Sequence, residues 1–105
     1  MTAIVTILTT VANAEDAAAL ADKLVQNKLA ACVQELAIRS HYNWENKTQN
    51  EPEILMLVKT PEALQDEVVG FIKSNHSYDL PEIIVLPVVG GLAEYLAWVG
   101  SETKG

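Results

Sequence analysis

The stretch ACVQELAIRSHYNWENKTQNEPEILMLV, residues 31–58, decides how the chain folds. From Ala31 to Trp44 the apolar side chains Cys32, Val33, Leu36, Ile38, Tyr42 and Trp44 fall in loose alternation, the period of a strand, with a bulge expected near Glu35. Glu45 to Asn50 is polar throughout and has the composition of a hairpin loop. Pro52 delays the next strand to about Glu53, and Ile54-Leu55-Met56-Leu57-Val58 then runs apolar without a break. A long strand, a polar loop and a second strand make an antiparallel hairpin, and the rest of the chain is arranged on either side of it.

Before the hairpin, Ala3 to Thr9 is short, β-branched and apolar, and reads as a strand. Asn13 follows as an N-cap, Glu15 and Asp16 complement the positive end of a helix, and Ala17, Leu20, Ala21, Leu24 and Val25 repeat at helical spacing until Asn27-Lys28. After the hairpin, Thr60-Pro61-Glu62 reads as N-cap, first-position proline and first-turn acid. Leu64, Val68, Phe71 and Ile72 carry that helix to about Lys73, with Gly70 a weak point inside it. Pro81 to Val89 is a further strand, placed at an edge or broken by Pro87. Gly90-Gly91 ends it, and Leu92 to Glu102, with Tyr95, Leu96, Trp98 and Val99, reads as a terminal helix. Two strand-helix-strand halves flank one hairpin. That order predicts an α+β chain, a ferredoxin-like split βαβ sandwich with a C-terminal helix, forming a single domain over residues 1–105.

Composition narrows the function. Seven Lys+Arg against 14 Asp+Glu leave a formal charge of −7, which argues against binding a nucleic-acid backbone. One cysteine, Cys32, excludes an intrachain disulfide. Met1-Thr2-Ala3-Ile4 has no basic start to a leader, and no apolar run approaches the ~20 residues of a membrane span, so a soluble, cytoplasmic protein is expected.

In a sandwich whose helices cover one face of the sheet, the strands should alternate apolar with polar. Ile54 to Val58 and Ile83 to Val89 do not, and Ile4-Val5-Thr6-Ile7-Leu8 scarcely does. The second face therefore needs cover, either from the terminal helix or from other copies of the chain, and the patterning favours a homo-oligomer that packs sheets together.

Local motifs for chemistry are sparse. Cys32 sits in Leu29-Ala30-Ala31-Cys32-Val33, where it is either a small buried hydrophobe or a thiol open to a cleft or a soft metal. His41 and His76 form no H-x-x-x-H or C-x-x-C spacing with one another or with Cys32, so a metal site has to be assembled in space. Neither histidine is placed in sequence to serve a nucleophile, and Gly90-Gly91 is too short for a phosphate cradle. Asn46-Lys47-Thr48 and Asn75-His76-Ser77 match the glycosylation pattern, to which a chain without a leader gives no meaning. What remains is polar and aromatic residues at strand ends: Tyr42 and Trp44 by the hairpin, Lys59 after the apolar strand, and His76 to Glu82 before the last one. Together they suggest a cleft with apolar walls and a few charged groups.

Leu29-Ala30-Ala31-Cys32-Val33, Ser40-His41-Tyr42-Asn43-Trp44, Lys59-Thr60, His76-Ser77-Tyr78-Asp79-Leu80-Pro81-Glu82-Ile83 with Pro87, and Tyr95-Leu96-Ala97-Trp98 resemble the CutA family of divalent-cation tolerance proteins, in order and over nearly the whole chain. One departure is Asn46, where that family often has glycine. The resemblance implies a ferredoxin-like subunit in a tight homotrimer, related in architecture to PII-type signalling proteins, with clefts between subunits. It implies a non-catalytic protein that binds a small molecule there, with binding of copper or another divalent cation, or a purely structural trimer, as the alternatives. The residues expected around the cleft are Cys32, Trp44, Glu53, Lys59, Tyr78 and Glu82. Trp44 would wall it, Lys59 would meet an anionic group, Glu53 and Glu82 would accept from hydroxyls or amines, and Tyr78 would do either.

Overall fold

The computed structural model describes residues 3–104. Strand β1 (Ile4–Val11) leads to helix α1 (Ala14–Gln26), then to the long strands β2 (Cys32–Trp44) and β3 (Lys47–Pro61). A 3-10 turn (Glu62–Leu64) opens helix α2 (Gln65–Ser74), and β4 (Ile83–Pro87) and helix α3 (Ala93–Ser101) complete the chain. The sheet order is β2-β3-β1-β4 and every neighbouring pair is antiparallel, the arrangement expected of a split βαβ sandwich.

Side chains alternate across each strand, so the register sorts the sheet into two faces. Val5, Ile7 and Val11 of β1 and Met56 and Val58 of β3 meet Ala17, Leu20 and Leu24 of α1 and Leu64, Val68 and Ile72 of the α2 segment in one buried core. Leu24, Met56 and Ile72 are fully buried, and truncating any of them to alanine should cost about 2–5 kcal/mol. On the opposite face α3 lies against β1 and β3, where Ile4 and Val99 are buried. It covers only one end: Leu36 of β2 and Ile84 and Leu86 of β4 stay exposed. The terminal helix thus does not close the second face within one chain.

Local signals held in some places and were overridden in others. Asn13 caps α1 as expected, its side chain accepting from the Asp16 N–H at 2.8 Å. Thr60 is no cap. Its hydroxyl donates to the Leu29 carbonyl at 2.6 Å in a buried contact, and Pro61 takes the N-cap position of the 3-10 turn instead. β2 pairs residue for residue from Cys32 to Trp44, so the bulge near Glu35 is absent. The loop expected over Glu45 to Asn50 shrinks to Glu45-Asn46, both at positive φ (50° and 63°), and Lys47 to Pro52 belong to β3. Pro52 is tolerated because β3 has no partner on its other side there, β1 having ended at Val11 opposite Ile54. β1 runs on to Val11 rather than Thr9, and β4 is confined to Ile83–Pro87, with Pro87 on an edge strand as its chemistry requires.

Candidate functional site

The cleft arises because β3 outlasts β1. Past Val11 the β2–β3 arm has no neighbour in the plane of the sheet, and the segment joining α2 to β4 faces it across the gap. The space between them is about 620 Å³. From the arm come Ser40, His41, Tyr42 and Trp44 of β2 and Glu51 and Glu53 of β3. Facing them are Tyr78, Asp79, Leu80, Pro81 and Glu82, with Thr10 at the end of β1. The pairings Ser40 with Glu51 and Ile38 with Glu53 put Ser40, Tyr42, Trp44, Glu51 and Glu53 on the sheet face that the two core helices leave open.

One hydrogen bond ties the two walls together. The Tyr78 hydroxyl donates to Glu53 Oε2 at 2.8 Å, and Glu53 is only 8% exposed. Burial, and then the carboxylate it serves, push the Tyr78 phenol well above its ordinary range, so it remains a donor at any physiological pH. Tyr42 donates to Glu51 in the same manner, and that bond raises its pKa too.

Tyr78 is itself placed by His76. The Tyr78 backbone N–H, which can only donate, bonds to His76 Nδ1 at 3.0 Å, so Nδ1 is the bare nitrogen. Nε2 therefore carries the proton and donates to the Thr10 carbonyl at 2.8 Å. With both ring nitrogens engaged and the ring packed 4.9 Å from that of Tyr78, His76 tethers the α2–β4 segment to the end of β1.

A second group lies at the other end of the same face. Half-buried Cys32 stands opposite Lys59, whose ammonium donates to the Gln34 side chain. Tyr95 of α3 sits beside the thiol, and burial, then Cys32, raises its phenol pKa. Lys59 and Glu53 share one face of β3 but are separated by roughly 20 Å of strand.

Of the residues proposed from sequence, Trp44, Glu53, Tyr78 and Glu82 meet in the cleft, while Cys32 and Lys59 are paired away from it. Tyr42 and Asp79, noted in the sequence among the residues at strand ends but given no role, also line the cleft, and sequence reasoning left out Ser40 and Glu51. The period of two along β2, read as a strand to Trp44, already puts Ser40 and Tyr42 on the face of Trp44, whereas Glu51 was hidden because the next strand was expected to start only near Glu53. Among the described residues no group of three or more His, Cys, Asp and Glu side chains is placed to hold a metal ion, and no helix is long and apolar enough to cross a membrane.

Comparison with known proteins agrees with this architecture. The sequence profile described as "CutA1 divalent ion tolerance protein" matches residues 5–102. The chain is 41% identical over 101 residues to the chloroplastic protein CutA of Arabidopsis thaliana, covering 95% of this chain and 56% of that protein. It is 40% identical over 101 residues to the divalent-cation tolerance protein CutA of Pectobacterium atrosepticum, covering 95% of this chain and 92% of that one. The chain thus spans little more than half the length of the plant relative and almost all of the bacterial one. The crystal structure of CutA1 from Oryza sativa superposes with a TM-score of 0.95 at 40% identity, over 98% of this chain and 95% of that one.

Proposed function

Because this chain belongs to the CutA1 divalent ion tolerance family, we propose that it is a non-catalytic, PII-like homotrimer that binds a small molecule in clefts completed between subunits, in signalling or divalent-cation tolerance. The observation that carries the reading is the cleft itself. It is of a size that suits small molecules, it has an aromatic wall, and hydrogen-bonding groups converge on it from two elements. The exposed Leu36, Ile84 and Leu86 lie between this cleft and the Cys32–Lys59 end of the same face. Burying that apolar middle against another copy would place a neighbouring chain beside the cleft, which supports a site shared between chains. The cytoplasm is the compartment proposed, in keeping with a single cysteine that needs no oxidising surroundings.

The family description favours a second reading, in which copper or another divalent cation is bound. Its natural ligands, Cys32 and the two histidines, are dispersed: Cys32 lies opposite Lys59, His41 lines the cleft, and His76 is held by Thr10 and Tyr78. Such a site would need ligands from more than one subunit.

Native mass spectrometry of protein purified from its own cell extract, before and after chelator, separates these readings. A trimer carrying an organic mass that survives chelation is the expected result. Stoichiometric metal removed by chelator, and lost in Cys32→Ser and His76→Ala, would replace the proposal with the metal reading. A bare trimer would favour a structural scaffold, and a monomer at micromolar concentration would remove the shared cleft.

A further inference from the structure

We infer that His76 makes the cleft sensitive to pH: its neutral ring holds the α2–β4 wall latched to the arm through Tyr78 and Glu53, and taking up a proton releases that latch. This concerns the regulation of the cleft and rests on the small-molecule reading above for its use, whereas the coupling itself is measurable without a ligand.

Donors and acceptors fix the protonation state that the latched wall requires. The Tyr78 backbone N–H bonds to Nδ1, 3.0 Å away, only while that nitrogen is bare. Nε2 already carries its proton and donates it to the Thr10 carbonyl at 2.8 Å, so an incoming proton has no place but Nδ1. There it sets two donors against each other at hydrogen-bonding distance, and the contact has to open. Histidine is the side chain that changes charge between pH 5 and 8 in ordinary surroundings. The latched wall binds one proton fewer than the released one, so falling pH favours release.

Contacts of Tyr78 carry that release to the arm. The residue whose N–H is lost is the one whose phenol reaches Glu53 Oε2 at 2.8 Å and whose ring packs 4.9 Å from the imidazole. Glu53 lies on the arm, past the last pairing of β1 with β3 at Val11 and Ile54. The protonated ring also has somewhere to turn. With Asp16 and Lys23 of α1 and Asn75 and Ser77 of its own segment, His76 lines a hollow of about 80 Å³. There the Lys23 ammonium donates to the Asn75 side chain at 3.4 Å, and the Asp16 carboxylate, approached by the Ser77 hydroxyl at 3.5 Å, is the acceptor for an imidazolium. From the other elements β1 meets the residue at the uncharged Thr10 carbonyl and α2 at the Lys73 carbonyl, 3.4 Å from the His76 N–H. Asp79 follows on the same segment, and Glu53 of β3 is reached through Tyr78. With both nitrogens engaged, the ring has no lone pair free for a metal ion.

The test is NMR of the purified, assembled protein in chelator-containing buffer without ligand, from pH 8 to pH 5. It follows the His76 ring nitrogens, hydrogen exchange of the Tyr78 backbone amide, and the indole N–H signal of Trp44. His41→Asn, Tyr78→Phe and Trp98→Phe identify the signals. Relative to an unstructured peptide at each pH, the Tyr78 amide should lose roughly tenfold in protection as the His76 ring titrates, and Trp44 should shift with the same midpoint. His76→Asn keeps an acceptor for the N–H two residues on, as asparagine does in turns, but has no proton to take up. In that variant the Tyr78 amide should stay protected and Trp44 unmoved over the whole range. Protection in the parent that ignores pH would overturn the inference, and this result needs no variant to fold. So would a response that persists in His76→Asn, or one that disappears in His41→Asn, since exposed His41 also lines the cleft. The coupling without any organic mass on extract-purified protein would remove the ligand reading and leave the inference standing. A bound organic mass with a wall indifferent to pH would do the reverse.

Discussion

Tyr78 carries a consequence for pH. Its folded pKa lies above the ordinary phenol value near 10 because of burial and Glu53, so the folded chain holds that proton more tightly than the unfolded one. The resulting stabilisation is complete below pH 10 and is lost as pH climbs through the folded pKa. Denaturant midpoints measured from pH 9 to 11.5 should fall with rising pH, and the slope should flatten in Tyr78→Phe; equal slopes would show that Tyr78 does not contribute. Tyr42 and Tyr95 are shifted in the same direction, so some slope should survive the substitution. Thr9 makes a simpler case. Its hydroxyl is buried with no hydrogen-bond partner among the described residues, so Thr9→Val should raise stability by about 1 kcal/mol, read as a higher midpoint at unchanged denaturant slope. Residues of this kind are where sequence was least legible. Asn13 could be read as a cap because its partner, Asp16 N–H, is three positions away. Thr60 could not be read, because the carbonyl that claims its hydroxyl belongs to Leu29, 31 residues earlier.

Helices and strands were legible to the extent that burial dictates their pattern. The two core helices carry apolar periodicity because each has one face in the core, and β1 is legible as a short β-branched apolar run. The outer half of the hairpin has no such demand on it. Lys47 to Asn50 is solvent-exposed or nearly so, and pairing there is imposed by the turn and by β2 opposite rather than by burial, so a strand was hidden under loop-like composition. The turn itself accounts for the departure at position 46. With φ positive at both central positions, Glu45-Asn46 forms a tight turn of the type that favours Asn-Gly, and the asparagine accepts the left-handed conformation less readily than glycine would. Asn46→Gly should therefore stabilise the arm by about 0.5–1 kcal/mol, seen as slower amide exchange at Tyr42 and Gln49 as well as a raised midpoint. If Trp44 works as a wall of the cleft, the same substitution should leave ligand affinity unchanged or slightly improved, since it stiffens the arm without altering a lining side chain.

Across the whole molecule, one face of the sheet holds two polar ends and an apolar middle, and this explains which site residues the sequence could bring together. Trp44, Glu53, Tyr78 and Glu82 converge because β1 is shorter than β3, a feature of the fold. Cys32 and Lys59 were expected at the same cleft as residues flanking buried strands and lying in the family motifs, but within one chain they stand at the other end of that face. The apolar middle allows a direct test. Leu36 at 57% and Ile84 at 47% exposure lie outside the helix-covered core, so a charge placed at either costs little in a lone subunit. In an interface the same charge would be desolvated without a partner and would oppose association by several kcal/mol. Leu36→Glu and Ile84→Glu should thus yield folded particles of 11.4 kDa in sedimentation, with the circular-dichroism spectrum retained. Ligand binding should fall with assembly if the site needs a neighbour's Lys59, and Lys59→Ala in the intact assembly should then weaken binding without changing its mass. If the glutamate variants sediment as the parent does, this face is not what joins the subunits, and the cleft has to be understood as the property of one chain.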